Sequence, residues 1–301
     1  MPIQTRRDLV PWVVRALWVL LPFTAGPAFA DWLSPTSHPV RTLSSVLLWV
    51  AWGLGILATL VPHPLSLTAL RFMAPGAAAL AVDTAIRGYP SALAVGWTLV
   101  LVAWIFAPAF GEWCVNGPAY PNERRHLLRA PGSLVVGLLA LVVAWDLAVA
   151  GLVAGPLLLA ARQWVAGGVL TVVGWAVAAV FLRSLHSFSR RWVVFVPAGV
   201  VVHDPVSLRD PVLFGRRALA GIGPAGGKRD GVADLTQRAA GLAVQLQLRE
   251  PLKLTLMKPG RRLGIDIEAE TVMFTPTRPG AVLEEARTRR LPVTAASDRP
   301  R

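Results

Sequence analysis

Long apolar runs fill the first 182 positions of this chain, and a polar, alternating pattern follows them. A membrane-spanning helix needs about 20 largely apolar residues, and five runs reach that length. A sixth run is weaker, because Arg71 and Asp83 bracket a shorter apolar stretch. Arg71 can extend its charged end to the membrane surface, so this run also counts as a span. The six predicted spans are residues 9–30, 43–61, 67–86, 92–110, 134–159 and 164–182.

After Ser189 the apolar period changes from helical to the alternation that is typical of strands. Leu242–Leu248 and Leu252–Leu256 alternate on either side of residues 249–251, which predicts a hairpin with one buried face. Residues 279–291 form a predicted helix with Pro279 in its first turn. Further strands are predicted at residues 192–196, 199–203, 211–214, 263–267 and 271–274, with a polar loop at 226–241.

The predicted fold class is a membrane all-α helical bundle of six transmembrane helices, followed by a small β-rich domain with a C-terminal helix. The bundle occupies residues 1–184, the domain 190–291, and a disordered tail 292–301. Only six of the 17 acidic residues precede position 183, so the first part suits lipid and the second suits water.

Arginines in the short loops indicate the orientation, because cytoplasmic loops carry an excess of basic residues. With the N-terminus inside, eight flanking arginines face the cytoplasm: Arg6, Arg7, Arg124, Arg125, Arg129, Arg183, Arg190 and Arg191. Three face the outside: Arg41, Arg87 and Arg162. This asymmetry predicts a multi-pass protein of the bacterial inner membrane with both termini in the cytoplasm.

The first span has a second interpretation. Arg6-Arg7, the apolar run that follows and Ala28-Phe29-Ala30 together resemble a secretory signal with a small-residue cleavage site. The five further spans favour the interpretation in which the first span is not cleaved and remains as a membrane anchor. Removal of residues 1–30 would change the number of helices and leave the C-terminal domain on the same side.

The formal net charge of +13 does not lead us to predict nucleic-acid binding. Much of the basic excess flanks the spans, where it sets orientation. Few lysines among many arginines are typical of a GC-rich bacterial genome. Cys114 is the single cysteine, which excludes an intrachain disulfide and a cysteine-cluster metal site. The histidines are scattered, so no metal or cofactor site is predicted.

Two segments of the second half carry a family resemblance. Trp192–Asp204 and the helix within Thr277–Ala286 are similar to the first hairpin and the final helix of bacterial pleckstrin-homology-like (PH-like) domains. The whole layout resembles uncharacterised actinobacterial multi-pass membrane proteins with such a domain. The resemblance implies a cytoplasmic domain that binds a protein partner or the inner membrane leaflet, and it supplies no catalytic residues.

Asp146 is the first candidate site residue, because it lies near the middle of the fifth span. A charge at this depth must pair, face water or be protonated. Arg15, Arg71 and Asp83 are the candidate intramembrane partners. A proton- or ion-linked carboxylate and a structural hydrogen bond or ion pair both remain open.

Two further motifs have simpler interpretations. Gly151 and Gly155 form a GxxxG pair, which predicts helix packing, with contact in a homodimer as the alternative. A basic group in the second half could meet anionic headgroups, since a tethered domain lies within reach of the leaflet. Its members are Arg216, Arg217, Lys228 and Arg229.

The leading hypothesis is therefore a non-catalytic membrane protein whose PH-like domain binds a protein partner or the leaflet. The second is a small transporter or channel-like protein that uses Asp146. An intramembrane enzyme acting on lipid is the third, and the sequence suggests no catalytic residue for it.

Overall fold

The computed structural model describes residues 3–226, 231–257 and 264–294. They belong to two compact units: a helical unit of Met1–Gly117 and Leu139–His186, and a β unit of Pro118–Leu138 and Ser187–Arg301. The chain therefore passes between the units after Gly117, Leu138 and His186.

Helices occupy most of the first 189 residues and recur once near the C-terminus. They are α1 (Ile3–Val19), α2 (Leu21–Thr24), α3 (Gly26–Leu33), α4 (His38–Leu60), α5 (Pro64–Ile86), α6 (Ala92–Phe106), α7 (Pro108–Asn116), α8 (Gly132–Val136), α9 (Leu138–Ala160), α10 (Trp164–Ser189) and α11 (Pro279–Thr288).

Within the described residues, four helices are long and apolar enough to cross a membrane: α4, α5, α9 and α10. The pair α6–α7 meets the same criteria together but is bent by 56°, which brings the number of candidate spans to as many as five. The chain is thus a multi-pass membrane protein with a helical N-terminal half, and six crossings are not confirmed.

Prolines explain where the apolar half divides. Pro22, Pro27 and Pro108 lie in the first turns of α2, α3 and α7. Proline cannot donate a helical hydrogen bond and disfavours helical geometry in the residue before it. Predicted span 9–30 is therefore divided among α1, α2 and α3, and predicted span 92–110 divides at Ala107.

The β unit contains two four-stranded sheets in the part of the chain that the structure describes, in the orders β1-β2-β3-β4 and β5-β7-β8-β6. All pairs are antiparallel except β6–β8, which is parallel. The strands are β1 (Arg124–Leu127), β2 (Trp192–Val196), β3 (Gly199–His203), β4 (Val212–Gly215), β5 (Leu219–Pro224), β6 (Val232–Asp234), β7 (Val244–Leu256) and β8 (Ile265–Phe274).

One apolar core joins both sheets and the last helix. Phe195 and Phe214 come from the first sheet, Leu246 and Phe274 from the second, and Val282 from α11. Each of these side chains is almost fully buried. The predicted strands at 192–196, 199–203 and 211–214 and the predicted terminal helix are confirmed in position to within a few residues.

The predicted hairpin at residues 249–251 is wrong. β7 continues through this segment and pairs with β8 on both sides of it, with a register irregularity between Gln247 and Leu252. Arg249 donates its backbone N–H to the Ala218 carbonyl, 2.9 Å away. Pro251 lies in the irregular stretch, where the loss of its N–H costs the ladder little.

Other boundaries also differ from the sequence pattern. Predicted strands 263–267 and 271–274 fall on one strand, β8, and residue 263 lies outside the described residues. The predicted loop 226–241 contains β6.

The tail also begins later than predicted. Pro292 and Thr294 exchange backbone hydrogen bonds of 2.7 and 2.9 Å with Ile222 of β5. The first residues of predicted tail 292–301 therefore extend a sheet, and residues 295–301 lie outside the description.

Strand β1 comes from the segment between α7 and α8, far from the rest of the β unit in sequence. It pairs antiparallel with β2, with Arg124 opposite Phe195 and Leu127 opposite Trp192. His126, Leu127 and Leu128 are buried. The boundaries predicted for the domain, 190–291, therefore exclude β1, which belongs to the same sheet as β2.

A buried ion pair joins the start of β2 to the end of β3. Arg191 Nε and Nη2 donate to the two carboxylate oxygens of Asp204, each at 2.8 Å. The side chains are only 1% and 0% exposed. Arg191 also donates to the Arg129 carbonyl at 2.8 Å, and Asp204 accepts from Ser207 Oγ at 2.7 Å. These contacts fix the segment after β1 against β2 and β3.

Candidate intramembrane interaction site

The inner side of α9 packs against α5 through a tryptophan. Trp145 Nε1 donates to the Phe72 carbonyl at 3.1 Å, and the centroids of the Trp145 and Phe72 rings are 6.3 Å apart. Gly76, one turn further along α5, faces the indole, since a Cβ atom there would lie 3.5 Å from Trp145 Cζ2. Ala148, the next residue on this side, is fully buried.

Glycines bring α9 into backbone contact with α10. A Cβ atom on Gly151 would lie 2.6 Å from the Gly174 carbonyl oxygen, and one on Gly155 would lie 2.6 Å from the Thr171 Cα. Gly167 packs in the same way against Leu159. The GxxxG pair therefore lies between two helices of one chain, where side chains at these positions would separate the backbones.

We expect Gly151→Leu to separate α9 from α10, because the added side chain has no space against Gly174. Overpacking of this kind costs roughly 1–3 kcal/mol or more. The measurement is thermal unfolding of the purified full-length protein in detergent. Gly168→Leu is the matched control, since nothing lies within 4 Å of a Cβ on Gly168. Equal unfolding temperatures for the two variants would contradict the contact.

Asp146 lies on the opposite side of α9 from these contacts. It is two residues from buried Ala148, which corresponds to about 200° around the helix axis. Its side chain is exposed, and it makes no hydrogen bond or ion pair with any residue that the structure describes. About 12 Å of helix rise separates it from Leu138 at the start of the 23-residue α9, so it lies well inside this candidate span.

The residues around Asp146 on this side of α9 are apolar and also exposed. Leu139 and Leu147 are 78% and 59% exposed, and three smaller side chains complete the surface. We call this surface the α9 outer face: Leu139, Val142, Val143, Asp146, Leu147 and Ala150.

Arg15 is not a partner of Asp146. Its Nε donates to the Thr59 carbonyl at 3.0 Å, and its guanidinium lies over the rings of Trp12 and Trp113, 4.6 and 5.4 Å from their centroids. This arginine is satisfied by a helix-end carbonyl and two aromatic faces.

Arg71 is also separate from Asp146. Its guanidinium carbon lies 5.5 Å from the centroid of the Phe106 ring. Its Nε is enclosed and has no hydrogen-bond partner within the described chain. Arg71 lies two turns after Pro64, so its stem runs back toward the nearer end of α5, as side chains in helices do.

Asp83 lies at the other end of α5 and has its own partners. Arg87 Nε and Trp32 Nε1 both donate to Asp83 Oδ2 at 2.7 Å. The carboxylate and the guanidinium are 41% and 57% exposed. The structure thus places none of the three candidate partners beside Asp146, because they lie on other helices or at other depths.

The structure describes only two of the four basic residues that were predicted to contact lipid headgroups. Arg216 Nη2 donates to the Arg289 and Arg290 carbonyls at 2.6 and 3.4 Å, where it caps the C-terminal end of α11. Arg217 is exposed, and Lys228 and Arg229 lie outside the described residues. Arg216 borders a shallow, open cleft of about 430 Å³ whose other lining residues are Pro121, Asn122, Pro197, Glu285, Thr288 and Arg289.

The described residues contain no group of three or more His, Cys, Asp or Glu side chains that could hold a metal ion. Neither family models nor curated proteins nor solved structures match this chain. Its function is therefore inferred from the residues and their contacts.

Proposed function

We propose that this chain is a non-catalytic protein of the bacterial inner membrane that assembles with another membrane protein through the α9 outer face. The exposed, unpaired carboxylate of Asp146 in the middle of that face carries the proposal. A carboxylate at this depth costs on the order of 3 kcal/mol on insertion scales. A hydrogen-bond donor or a cation on a partner helix would offset this cost.

The position of Asp146 distinguishes this proposal from the transporter hypothesis. A carboxylate that carries protons or ions must line a water-filled path, which in a helical bundle runs between helices. Here the sides of α9 that face α5 and α10 present Trp145, Ala148, Gly151 and Gly155. Asp146 faces away from them, so assembly is the better interpretation.

We further propose that the β unit is a PH-like domain in the cytoplasm that binds a protein partner or the inner leaflet. Two four-stranded sheets and a C-terminal helix that packs on their common core support it. The unit also differs from a simple meander, since β1 precedes α9 in the chain and β6 runs parallel to β8. For leaflet contact the exposed Arg217 is better placed than Arg216, whose guanidinium already binds two carbonyls.

The test of assembly is the size of the complex that contains this protein in mildly solubilised membranes. We expect the wild-type protein to migrate in a complex larger than the single chain. Asp146→Leu should lose this complex. Asp146→Asn should only weaken it, because the amide keeps an acceptor oxygen but carries no charge. The purified Leu variant should unfold at the wild-type temperature or above, since Asp146 makes no bond with any described residue of the chain.

Asp83→Asn is the matched control, because it alters another carboxylate of a spanning helix and should leave the complex intact. An unchanged complex in Asp146→Leu would contradict the proposal. A well-folded Asp146→Asn variant that retains the complex but behaves like a gene deletion would favour the transporter hypothesis.

A further inference from the structure

The β unit has an exposed leucine in the segment between β6 and β7. Leu242 is 72% exposed, and its neighbours Ala240 and Gly241 are exposed as well. We call this segment the 237–243 loop. One exposed leucine is ordinary on a protein surface, so its significance depends on what lies beside it.

The 237–243 loop packs against the segment through which the chain reaches α9. Gly132 donates its backbone N–H to the Gln237 carbonyl at 2.9 Å, and the Arg238 carbonyl occupies the space that a Cβ atom on Gly132 would need. A Cβ atom on Gly241 would lie 2.9 Å from Arg129 Nε. The loop is therefore in direct contact with residues 129–132 of its own unit.

Residues 129–132 are close to two candidate membrane spans along the chain. One of these spans, α9, begins at Leu138. α8 is a single short helix, and two further residues connect it to Leu138, so Gly132 lies within about 14 Å of the start of α9. The other span, α10, ends two residues before Arg191, whose Nη1 donates to the Arg129 carbonyl at 2.8 Å. The loop therefore lies on the side of the β unit where the chain leaves for these two spans.

The charge on this side of the unit suits an anionic lipid surface. The three segments that meet here are residues 128–134, 187–191 and 235–243. They contain four arginines and no acidic residue. Arg191 is paired with Asp204, and the other three arginines are exposed: Arg129, Arg190 and Arg238. Asp234, just before the third segment, accepts hydrogen bonds from the N–H and hydroxyl of Thr236 at 2.9 and 2.6 Å. Basic residues next to a span are attracted to anionic headgroups.

We propose that the 237–243 loop inserts Leu242 into the interfacial region of an anionic leaflet, while the three exposed arginines contact its headgroups. This inference rests on the proposed leaflet role of the β unit and assigns that role to a surface other than Arg217. A leucine flanked by arginines suits this boundary, because the apolar side chain enters the acyl region while the charges stay at headgroup level.

The test uses the full-length protein in vesicles, with a fluorescent label as the probe. Cys114, the single cysteine of the chain, is first removed by Cys114→Ala. Ala240→Cys then carries the label in the loop, and Arg217→Cys carries it at the other exposed basic position as the matched control. Vesicles of phosphatidylcholine alone are compared with vesicles of equal parts phosphatidylcholine and phosphatidylglycerol. Nitroxide-labelled lipid quenches a label that enters the membrane, and iodide quenches a label that stays in water.

We expect lipid to quench the label at position 240 more strongly than the label at position 217, and more strongly when phosphatidylglycerol is present. Arg238→Glu should lower the inserted fraction relative to the free fraction by roughly fivefold, the factor expected for one basic residue at an anionic surface. Leu242→Asp should abolish lipid quenching at position 240. Leu213→Asp alters another exposed leucine of the unit and should leave this quenching unchanged.

Lipid quenching at position 240 that survives Leu242→Asp, or that is equal in both kinds of vesicle, would overturn the inference. Lipid quenching at position 217 alone would also overturn it, but would leave the leaflet role standing through another surface. If lipid quenches neither label, both the inference and the leaflet role fail. A loop that iodide reaches in both kinds of vesicle but not in native membranes is covered by a protein, which contradicts the inference in favour of a protein partner.

Discussion

Asp204→Ala is expected to unfold the β unit, because it leaves the guanidinium of Arg191 buried without its carboxylate. Breaking one side of a buried ion pair costs about 3–5 kcal/mol. The substitution also removes the acceptor for Ser207 Oγ and for the Val206 N–H. Small domains are stable by only about 5–15 kcal/mol, so the loss is a large fraction of the total.

Limited proteolysis and hydrogen exchange of the β unit in the full-length protein measure this effect. Glu284→Ala is the control, because the Arg287–Glu284 pair is 57% and 71% exposed and such pairs contribute little. The double variant Arg191→Met with Asp204→Ala should recover much of the loss, since no unpaired charge remains. If Asp204→Ala is as mild as Glu284→Ala, the ion pair does not hold the unit together.

Residues 187–294 expressed alone are expected to be poorly soluble and not cooperatively folded. Without β1 the edge of β2 is left open and the buried side chains of Leu127 and Leu128 are missing from the core. Thr277 also loses the Leu127 carbonyl to which its N–H donates at 2.8 Å. Open strand edges next to exposed apolar surface promote aggregation.

Joining residues 118–131 through a glycine-serine linker to residue 187 should restore a soluble, strand-rich protein. Circular dichroism and thermal unfolding provide the measurement. The control carries Leu127→Asp in the joined strand, which places a charge in the core and should abolish the rescue. Cooperative folding of residues 187–294 without β1 would contradict the role of this strand.

Hydropathy locates the long helices of this protein because each contains a long stretch with few charged residues. The predicted spans overlap closely with α4, α5, α9 and α10. A helix in lipid must be largely apolar, and this requirement is visible in the sequence itself. The division of the first span depends on Pro22 and Pro27, which break a run that composition alone treats as continuous.

The β unit could be predicted only in part, because strand pairing is set by distant residues. Short apolar runs located β2 and β3 correctly. The alternation on either side of Glu250-Pro251 fits both a turn and an irregular strand, so it predicted a hairpin where β7 continues. β1 shows no alternation in Arg124-Arg125-His126-Leu127, and its stability comes from pairing with residues nearly 70 positions away. Arg191 resembles a flanking arginine in the sequence, and only the fold reveals its buried partner.

The depth of Asp146 follows from the sequence, whereas the direction of its side chain does not. That direction depends on which side of α9 packs inside the chain, and Trp145, Gly151 and Gly155 determine it through contacts with α5 and α10. A single sequence shows these residues but not the helices they contact.

The placement of β1 ahead of α9 has a consequence for the synthesis of this protein. β1 leaves the ribosome before the α9–α10 hairpin, and its partner β2 leaves after it. β1 and β2 can therefore pair only after the hairpin has inserted and has returned the chain to the side of the membrane on which β1 lies. A hairpin that fails to return would leave β1 and β2 on opposite sides of the bilayer, where they cannot pair.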